Sequence, residues 1–190
     1  QRLVQQAQGW RVHTDAGPLD AAHVVLALGP WSDQALAPLG YRSTLLIKRG
    51  YHMHYQPIQA LHQPVLDAER GYVLAPMRQG LRLTTGAEFA AVDAPSTPRQ
   101  LPKAERCARE LLDFGPALDN TPWMGARPCT ADMLPIVGAA PRHRGLWLHF
   151  GHGHQGFTLG PVTGRLLAEM MAGDVPFTDP TPYSPQRCWA

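Results

Sequence analysis

The chain has 190 residues, of which 44% are hydrophobic and 17% charged, and its formal net charge is +2 at pH 7. That composition describes a globular domain or a piece of one, and the small charge with no basic run argues against a nucleic-acid partner. The longest apolar runs, such as His23 to Leu28, are far too short to cross a bilayer, so no transmembrane segment is expected.

No secretory leader opens the chain, and Gln1-Arg2-Leu3-Val4 reads as the interior of a longer protein. Cys107, Cys129 and Cys188 stand at wide, unpatterned spacings that suit neither a disulfide framework nor a zinc site. A reducing compartment is the natural expectation. The 19 prolines cluster around Pro57–Pro64, Pro95–Pro102 and Pro176–Pro185, marking connections and a loosely structured tail.

In chain order, "GWRVHTDAGPLDAAHVVLALG" reads as two β-segments around Asp15-Ala16-Gly17, then a buried strand over 23–28. Gly29-Pro30 ends that strand, and a short helical stretch follows with Ser32 as its expected cap. "TLLIKRGYHMHYQPI" alternates so that His52 and His54 share one face while Tyr51, Met53 and Tyr55 share the other. "GYVLAPMRQGLRLTTGAEF" gives two strands around Arg78-Gln79-Gly80. An amphipathic helix is predicted from Lys103 to Phe114, with Cys107, Leu111 and Phe114 on its buried face and Gly115-Pro116 as its stop. "GLWLHF" is a strand, and a helix is predicted from Pro161 to Met171, with Leu159, Val162, Leu166 and Met170 as its stripe and Gly173 beyond its end. Helix is the minority and does not interleave with the central strands, so the fold class is α+β.

"FGHGHQGFTLGPVTG" carries G-x-G-x-x-G at Gly151, Gly153 and Gly156, between a strand and a helix. A dinucleotide turn of that spelling needs a second parallel strand after the helix, and here only a proline-rich stretch follows. The physics of the site survives that rejection. Glycines let a ligand approach the backbone, and the helix start offers unpaired N–H groups to something electron-rich. The competing reading is a tight strand-to-helix turn without a ligand. His149, His152 and His154 match no standard metal-ligand spacing, and no metal site is expected. Arg127, in an otherwise apolar or small segment, awaits a carboxylate or pairs with one of the chain's own, such as Asp132. No Ser-His-Asp arrangement or G-x-S-x-G occurs.

Three segments, "AAHVVLALGPWSDQALAPLG", "YVLAPMRQGLRLTTGAEF" and "GARPCTADMLPIVG…LWLHFGHGHQGFTLGPVTGRLLAEMMAG", together resemble one family. It is the C-terminal half of the FAD-dependent amino-acid and amine oxidoreductases: D-amino-acid oxidase, glycine oxidase, sarcosine oxidase and D-amino-acid dehydrogenase, the last resembled most. The likeness covers about residues 1–175. It implies a two-domain enzyme whose N-terminal Rossmann βαβ is missing here. Residues 1–40 would be a remnant of the FAD-binding domain, 41–122 an antiparallel substrate-binding sheet with a helix, 123–175 the return to the FAD-binding domain, and 176–190 a tail.

The same resemblance implies the site. Gly151, His152, Gly153, His154, Gln155, Gly156, Phe157 and Thr158 match the loop beside the isoalloxazine ring. Ala27, Leu28, Gly29 and Trp31 match a segment returning to the cofactor, and Leu3 an adenine-side contact. Arg127 matches the arginine that holds the substrate carboxylate, Tyr72 a tyrosine of the pocket wall, and His154 a place where some relatives carry a second arginine. Tyr72 has the plainer reading of an ordinary strand aromatic. His52 is a further candidate for substrate binding. The implied reaction is oxidation of a small amino acid or secondary amine by hydride transfer to flavin N5, then hydrolysis of the imine, with no catalytic acid or base. Oxygen or a quinone would accept the electrons, in the cytoplasm or at the periphery of the inner membrane. Two other classes remain: a non-catalytic β-rich fragment without cofactor, and an NAD-binding protein using the glycine triplet.

Overall fold

The structure, a computed structural model, describes residues 2–42 and 44–189. Gln1 and Ala190, the outer limits of the segments delimited above, lie outside the described residues, as does Ser43. The strands are β1 (Arg2–Gln5), β2 (Trp10–Thr14), β3 (Gly17–Ala21), β4 (Val24–Leu26), β5 (Leu46–Pro57), β6 (Val65–Asp67), β7 (Tyr72–Met77), β8 (Gly80–Thr85), β9 (Glu88–Phe89), β10 (Phe114–Ala117), β11 (Trp123–Cys129), β12 (Ile136–Ala139) and β13 (Leu146–Phe150). The helices are α1 (Ser32–Leu36), α2 (Gln100–Arg109), α3 (Gly156–Ala172) and α4 (Gln186–Trp189). The α+β class expected from the sequence holds. Among the described residues no helix is long and apolar enough to cross a membrane. The chain forms two units, Gln1–Ile47 with Arg127–Ala190, and Lys48–Ala126.

The discontinuous unit contains the antiparallel meander β1-β2-β3 and a sheet in the order β12-β13-β4. Strands β13 and β4 run parallel, pairing Leu146 with Val24 and Leu148 with Leu26. Trp10, Leu26, Leu36, Ile136, Leu146, Leu148 and Phe150 fill its core. The Trp10 indole N–H donates to the Arg144 carbonyl at 3.0 Å, so its polar atom is satisfied on burial. On the other side of the sheet, Leu166 and Leu167 of α3 pack with Val137.

The Lys48–Ala126 unit is built on β5, which bonds to β10 and β8 in the order β10-β5-β8-β7-β6 and also pairs with β9 and β11. The alternation read from the sequence sorts its side chains. Tyr51 and Tyr55 join Tyr72, Leu74, Leu81 and Leu83 under α2, whereas His52 and His54 point to the opposite face. Arg49, only 1% exposed, ties down the stretch after β9. Its guanidinium bonds Glu88 at 2.9 and 3.1 Å and donates to the carbonyls of Ala91, Ala94 and Pro95. Tyr51 and Thr97 also donate to Glu88, which holds that carboxyl down to about 2.

Four expectations are corrected. Helix α2 starts at Gln100 and stops at Arg109, because Phe114 is drawn into β10 opposite Pro57 and sheet pairing overrides the helical period. Arg109 caps this junction, donating to the Phe114 carbonyl at 2.6 Å with its guanidinium over that ring. Ser32 is the first residue of α1 rather than its cap, and its buried Oγ has no hydrogen-bond partner among the described residues. Helix α3 begins at Gly156 and runs through Pro161, which deprives the Phe157 carbonyl of its helical donor. Its buried positions are Thr163, Leu166 and Leu167, while Val162 faces solvent; Gly173 ends it in the left-handed conformation, as expected. The tail is docked: Cys188 and Trp189 pack on the core, and the Trp189 indole donates to Arg42 O at 2.9 Å.

Replacing Arg49 by Ala leaves three carbonyls without this donor and Glu88 without its cation, with only Tyr51 and Thr97 still donating to it. It should lower the free energy of unfolding by about 3–5 kcal/mol, measured by urea titration. A loss below about 1 kcal/mol would show that Arg49 behaves like a surface charge.

Candidate functional site

Parallel neighbours deliver their chains to the same end of a sheet, and open α/β sheets bind ligands outside those carboxyl ends. Here β4 runs out into Ala27, Leu28, Gly29 and Trp31, and β13 into Gly151 through Thr158. The two segments singled out in the sequence therefore meet at one end of the sheet. Leu3, from β1, faces the same region: it lines an apolar cavity of about 160 Å³ with Val12, Val25, Leu28, Ala35 and Pro38.

The glycine loop is shaped by close approach. Gly151 has φ +83°, and a Cβ there would stand 3.0 Å from Thr130 Cγ2. Gly153 has φ +57°, with its N–H on Pro128 O at 2.9 Å. Such conformations strain any residue with a side chain. Gln155 stands at the N-cap of α3 without a side-chain cap, and its carbonyl takes the N–H groups of Thr158 and Leu159 at 3.0 and 2.8 Å. The N–H groups of His154, Gly156 and Phe157 have no partner among the described residues. They lie at the positive end of a 17-residue helix, with Phe157 wholly exposed, and Trp31 and Leu28 exposed on the neighbouring segment. Free donors, bare backbone and exposed apolar side chains fit a planar, electron-rich ring.

Behind this loop, His149 and His152 each place Nε2 2.9 Å from Thr163 Oγ1, whose hydroxyl donates to Leu159 O at 2.7 Å. The hydroxyl proton is thus spent, and both rings donate Nε2–H as neutral imidazoles. Burial lowers both, and the neighbouring His149 helps bring His152 down to about 4. His154 faces solvent. Among the described residues no group of three or more His, Cys, Asp or Glu converges on a metal position.

Arg127 lies on β11, which leads into the turn Thr130–Leu134. Of its two candidate partners, Asp132 is taken: Arg187 donates to it at 2.9 Å and, with Leu134 N–H, holds that carboxyl down to about 2. The Arg127 guanidinium has no hydrogen bond or ion pair among the described residues. Met133 is the one described non-glycine residue with positive φ, 62°, and its side chain lies against Gly153. An unusual backbone conformation persists where its surroundings hold it, and here Asp132, Thr130 and Arg187 do so.

In the Lys48–Ala126 unit, His52 lies flat on Trp123, ring centroids 4.6 Å apart and planes at 20°, and edge-on to His54 at 5.1 Å. Tyr72 is on the opposite face, 1% exposed in the core under α2, as an ordinary strand aromatic. Burial and its neighbour Asp67 raise its hydroxyl. The sheet does not bring Tyr72 and His52 together. Sequence reasoning missed Thr163, Met133 and Arg187 in one unit, and Arg82, Asp119 and Trp123 in the other. The Asp132–Leu134 turn alone had a local signal, an Asp two residues before the N–H it accepts.

The profile of the DAO family, described as FAD dependent oxidoreductase, matches residues 1–170. Among curated proteins, the chain is 32% identical to a glycine oxidase of Pseudomonas aeruginosa, over 92% of this chain and 48% of that protein. It is 36% identical to a D-amino acid dehydrogenase of Cereibacter sphaeroides, over 87% of this chain and 38% of that one. Among solved structures, glycine oxidase from Geobacillus kaustophilus superposes with a TM-score of 0.80 at 25% identity, covering 96% of this chain and 50% of that one. The chain thus spans about half the length of the curated relatives it matches.

The neutral His149–His152 pair sets a pH dependence. A histidine lowered from 6.5 to about 4 binds protons more readily unfolded, so its contribution is full above about pH 6.5 and is lost as pH falls toward 4. The melting temperature should drop between pH 7 and 4.5, and His152→Gln should flatten that slope. Parallel slopes in calorimetry would discharge the pair from this role.

Proposed function

The chain belongs to the DAO family of FAD dependent oxidoreductases, and on that premise we propose that it forms the C-terminal half of an FAD enzyme that oxidises the C–N bond of a small amino acid or secondary amine. The observation that carries this reading is Arg127, a guanidinium left unpaired although carboxylates stand nearby in the sequence. When bound, FAD supplies, at ring N5, the acceptor for the hydride that leaves the substrate Cα. The unpartnered N–H groups of His154, Gly156 and Phe157 at the start of α3 would hold the flavin ring and would stabilise negative charge on it. Ala27, Leu28, Gly29 and Trp31 would help hold the ring and keep water from it, and Leu3 would contribute on the adenine side.

Arg127 takes the substrate carboxylate in its fork and orients the Cα–H. His154 and His52 contribute to substrate binding, and Tyr72 enters only by stiffening the sheet that carries His52. Orientation and cofactor electronics suffice, so no residue of this chain is assigned a proton-transfer role. Likeness to D-amino acid dehydrogenases and to glycine oxidases supports an amino-acid substrate of small size. The open edge of β4, beside exposed Val25 and Leu28, is where a Rossmann βαβ half would continue the sheet. Residues 1–40 and 123–175 then belong to the FAD-binding domain and 41–122 to the substrate sheet, in a cytoplasmic or membrane-peripheral enzyme that passes electrons to oxygen or a quinone.

A second reading follows from the chain's spanning only half of its relatives: by itself it is a non-catalytic fragment. Colour separates the two. Mixed with FAD, the purified chain should turn yellow with a flavin spectrum; a colourless protein assigns cofactor retention to the half it lacks. In the assembled enzyme, Arg127→Ala should raise KM for amino acids about 100-fold, the scale of a lost bidentate charged contact. Amines lacking a carboxylate should be spared. Equal effects on both would overturn the role given to Arg127.

A further inference from the structure

The family profile matches the chain as far as residue 170, yet Arg187, in α4, reaches back to the segment that follows Arg127. Its Nε donates to Asp132 Oδ2 at 2.9 Å, and its Nη2 to the carbonyls of Leu134 and Pro135 at 2.6 and 3.1 Å. Its Nη1 donates to the Ser184 carbonyl at 3.2 Å, which ties the guanidinium to its own segment. Asp132 in turn accepts the Leu134 N–H at 3.0 Å, and the Thr130 hydroxyl donates to Leu134 O at 2.7 Å. Every residue of this network, like Arg127, belongs to the discontinuous unit.

Docking of the tail does not depend on Asp132. Cys188 and Trp189 pack on the core, and the Trp189 indole bonds Arg42 O. Asp132 is partly exposed, and an ion pair of that kind contributes little to stability by itself. What the pair changes is the charge near Arg127, which stands five residues before Asp132, close to the end of β11. The Met133 N–H closes a turn on Thr130 O at 3.2 Å, so the chain folds back at Asp132 instead of running on. Opposite charges joined by so short a stretch are natural partners, because a charge-assisted bond is about twice as strong as a neutral one. Arg187 takes the carboxylate instead, and Arg127 keeps its fork.

Resting on the reading that Arg127 holds a substrate carboxylate, we propose that Arg187 is a positioning residue for that site: by claiming Asp132 it denies Arg127 an internal partner and keeps its guanidinium open to an amino acid. The proline-rich stretch that carries Arg187 is therefore part of the binding apparatus. Arg187 acts through Asp132 and not by contact with the ligand.

The test is NMR of the Arg127 Nε–H signal in the whole 190-residue chain, assigned by its loss in Arg127→Gln. In the wild type this group should exchange freely with water and shift on titration with D-alanine. In Arg187→Gln it should be moved and slowed by pairing with Asp132. D-Alanine should then bind about 10-fold more weakly, the scale of one charge-assisted contact that must first be broken. Adding Asp132→Asn to Arg187→Gln should return both signal and affinity to wild-type values although the tail contact stays broken. A purely structural role would leave the double variant no better than the single one. Arg187→Lys, which keeps a cation beside Asp132, should weaken D-alanine by less than Arg187→Gln, and it serves if the Gln variant does not fold. The proposal is overturned if Arg187→Gln leaves the Arg127 signal at its wild-type position, or if the double variant binds as weakly as the single one. If D-alanine leaves the Arg127 signal of the wild type unmoved while Arg187→Gln still pairs it with Asp132, the carboxylate reading of Arg127 fails. The hold of Arg187 on Asp132 then stands without a substrate to serve.

Discussion

The parallel hydrogen bonding of β4 to β13 is the constraint on which the discontinuous unit depends. It joins residues 24–26 to residues 146–148, across a stretch of chain that includes the whole Lys48–Ala126 unit. Because the two strands run the same way, their following segments must emerge at one end. That is why Ala27–Trp31 and Gly151–Thr158 are neighbours. An antiparallel pairing of the same strands would have sent them to opposite ends, and no ligand of ordinary size would touch both.

A second constraint is the period of two along β5. Every alternate residue goes either to the aliphatic and tyrosine core beneath α2 or to the histidine face, and a slip of one residue would exchange them. The core face is paid for by burial. On the other face, buried His54 is tolerated because both ring nitrogens and the backbone N–H are bonded. The contrast between Arg49 and Arg82 shows how one residue type serves two ends. Arg49 is enclosed and makes five hydrogen bonds to one carboxylate oxygen and three carbonyls, so its charge is used up in holding a loop. Arg82 gives one N–H to a neutral ring and keeps its fork.

The glycine loop shows how a familiar spelling changes meaning with topology. Gly151 and Gly153 adopt left-handed conformations and press against Thr130 and Met133, so their need for glycine is partly internal packing. What they present outward is a helix start with free donors. The two histidines behind it remain neutral because burial penalises their charged form, and Thr163 accepts one N–H from each. The loop is therefore anchored by uncharged hydrogen bonds and adds no cation to the site.

How much of this was legible differs from element to element. The alternation of "YHMHY", the turn at Arg78-Gln79, the strand "LWLHF" and the left-handed Gly173 are local matters of period and φ, and they were readable from the residues alone. The α+β class followed from them, and the family from the order of three segments. Helix α2 was misplaced because Phe114 satisfies a helical period and a strand pairing equally well, and only β5 decides between them. Arg127 could be named from the sequence but not judged, since Asp132 was an equally good partner until Arg187, brought in by the docked tail, claimed it. Arg82, Asp119 and His54 lie too far apart in sequence to suggest one another; cross-strand register assembles them. Sequence by itself determined which side chains were available and which face of each strand they take, because those depend on neighbours a few bonds away. Tertiary structure decided which charges are neutralised and which are left free, because a charge is spent only by the partner that long-range pairing sets beside it.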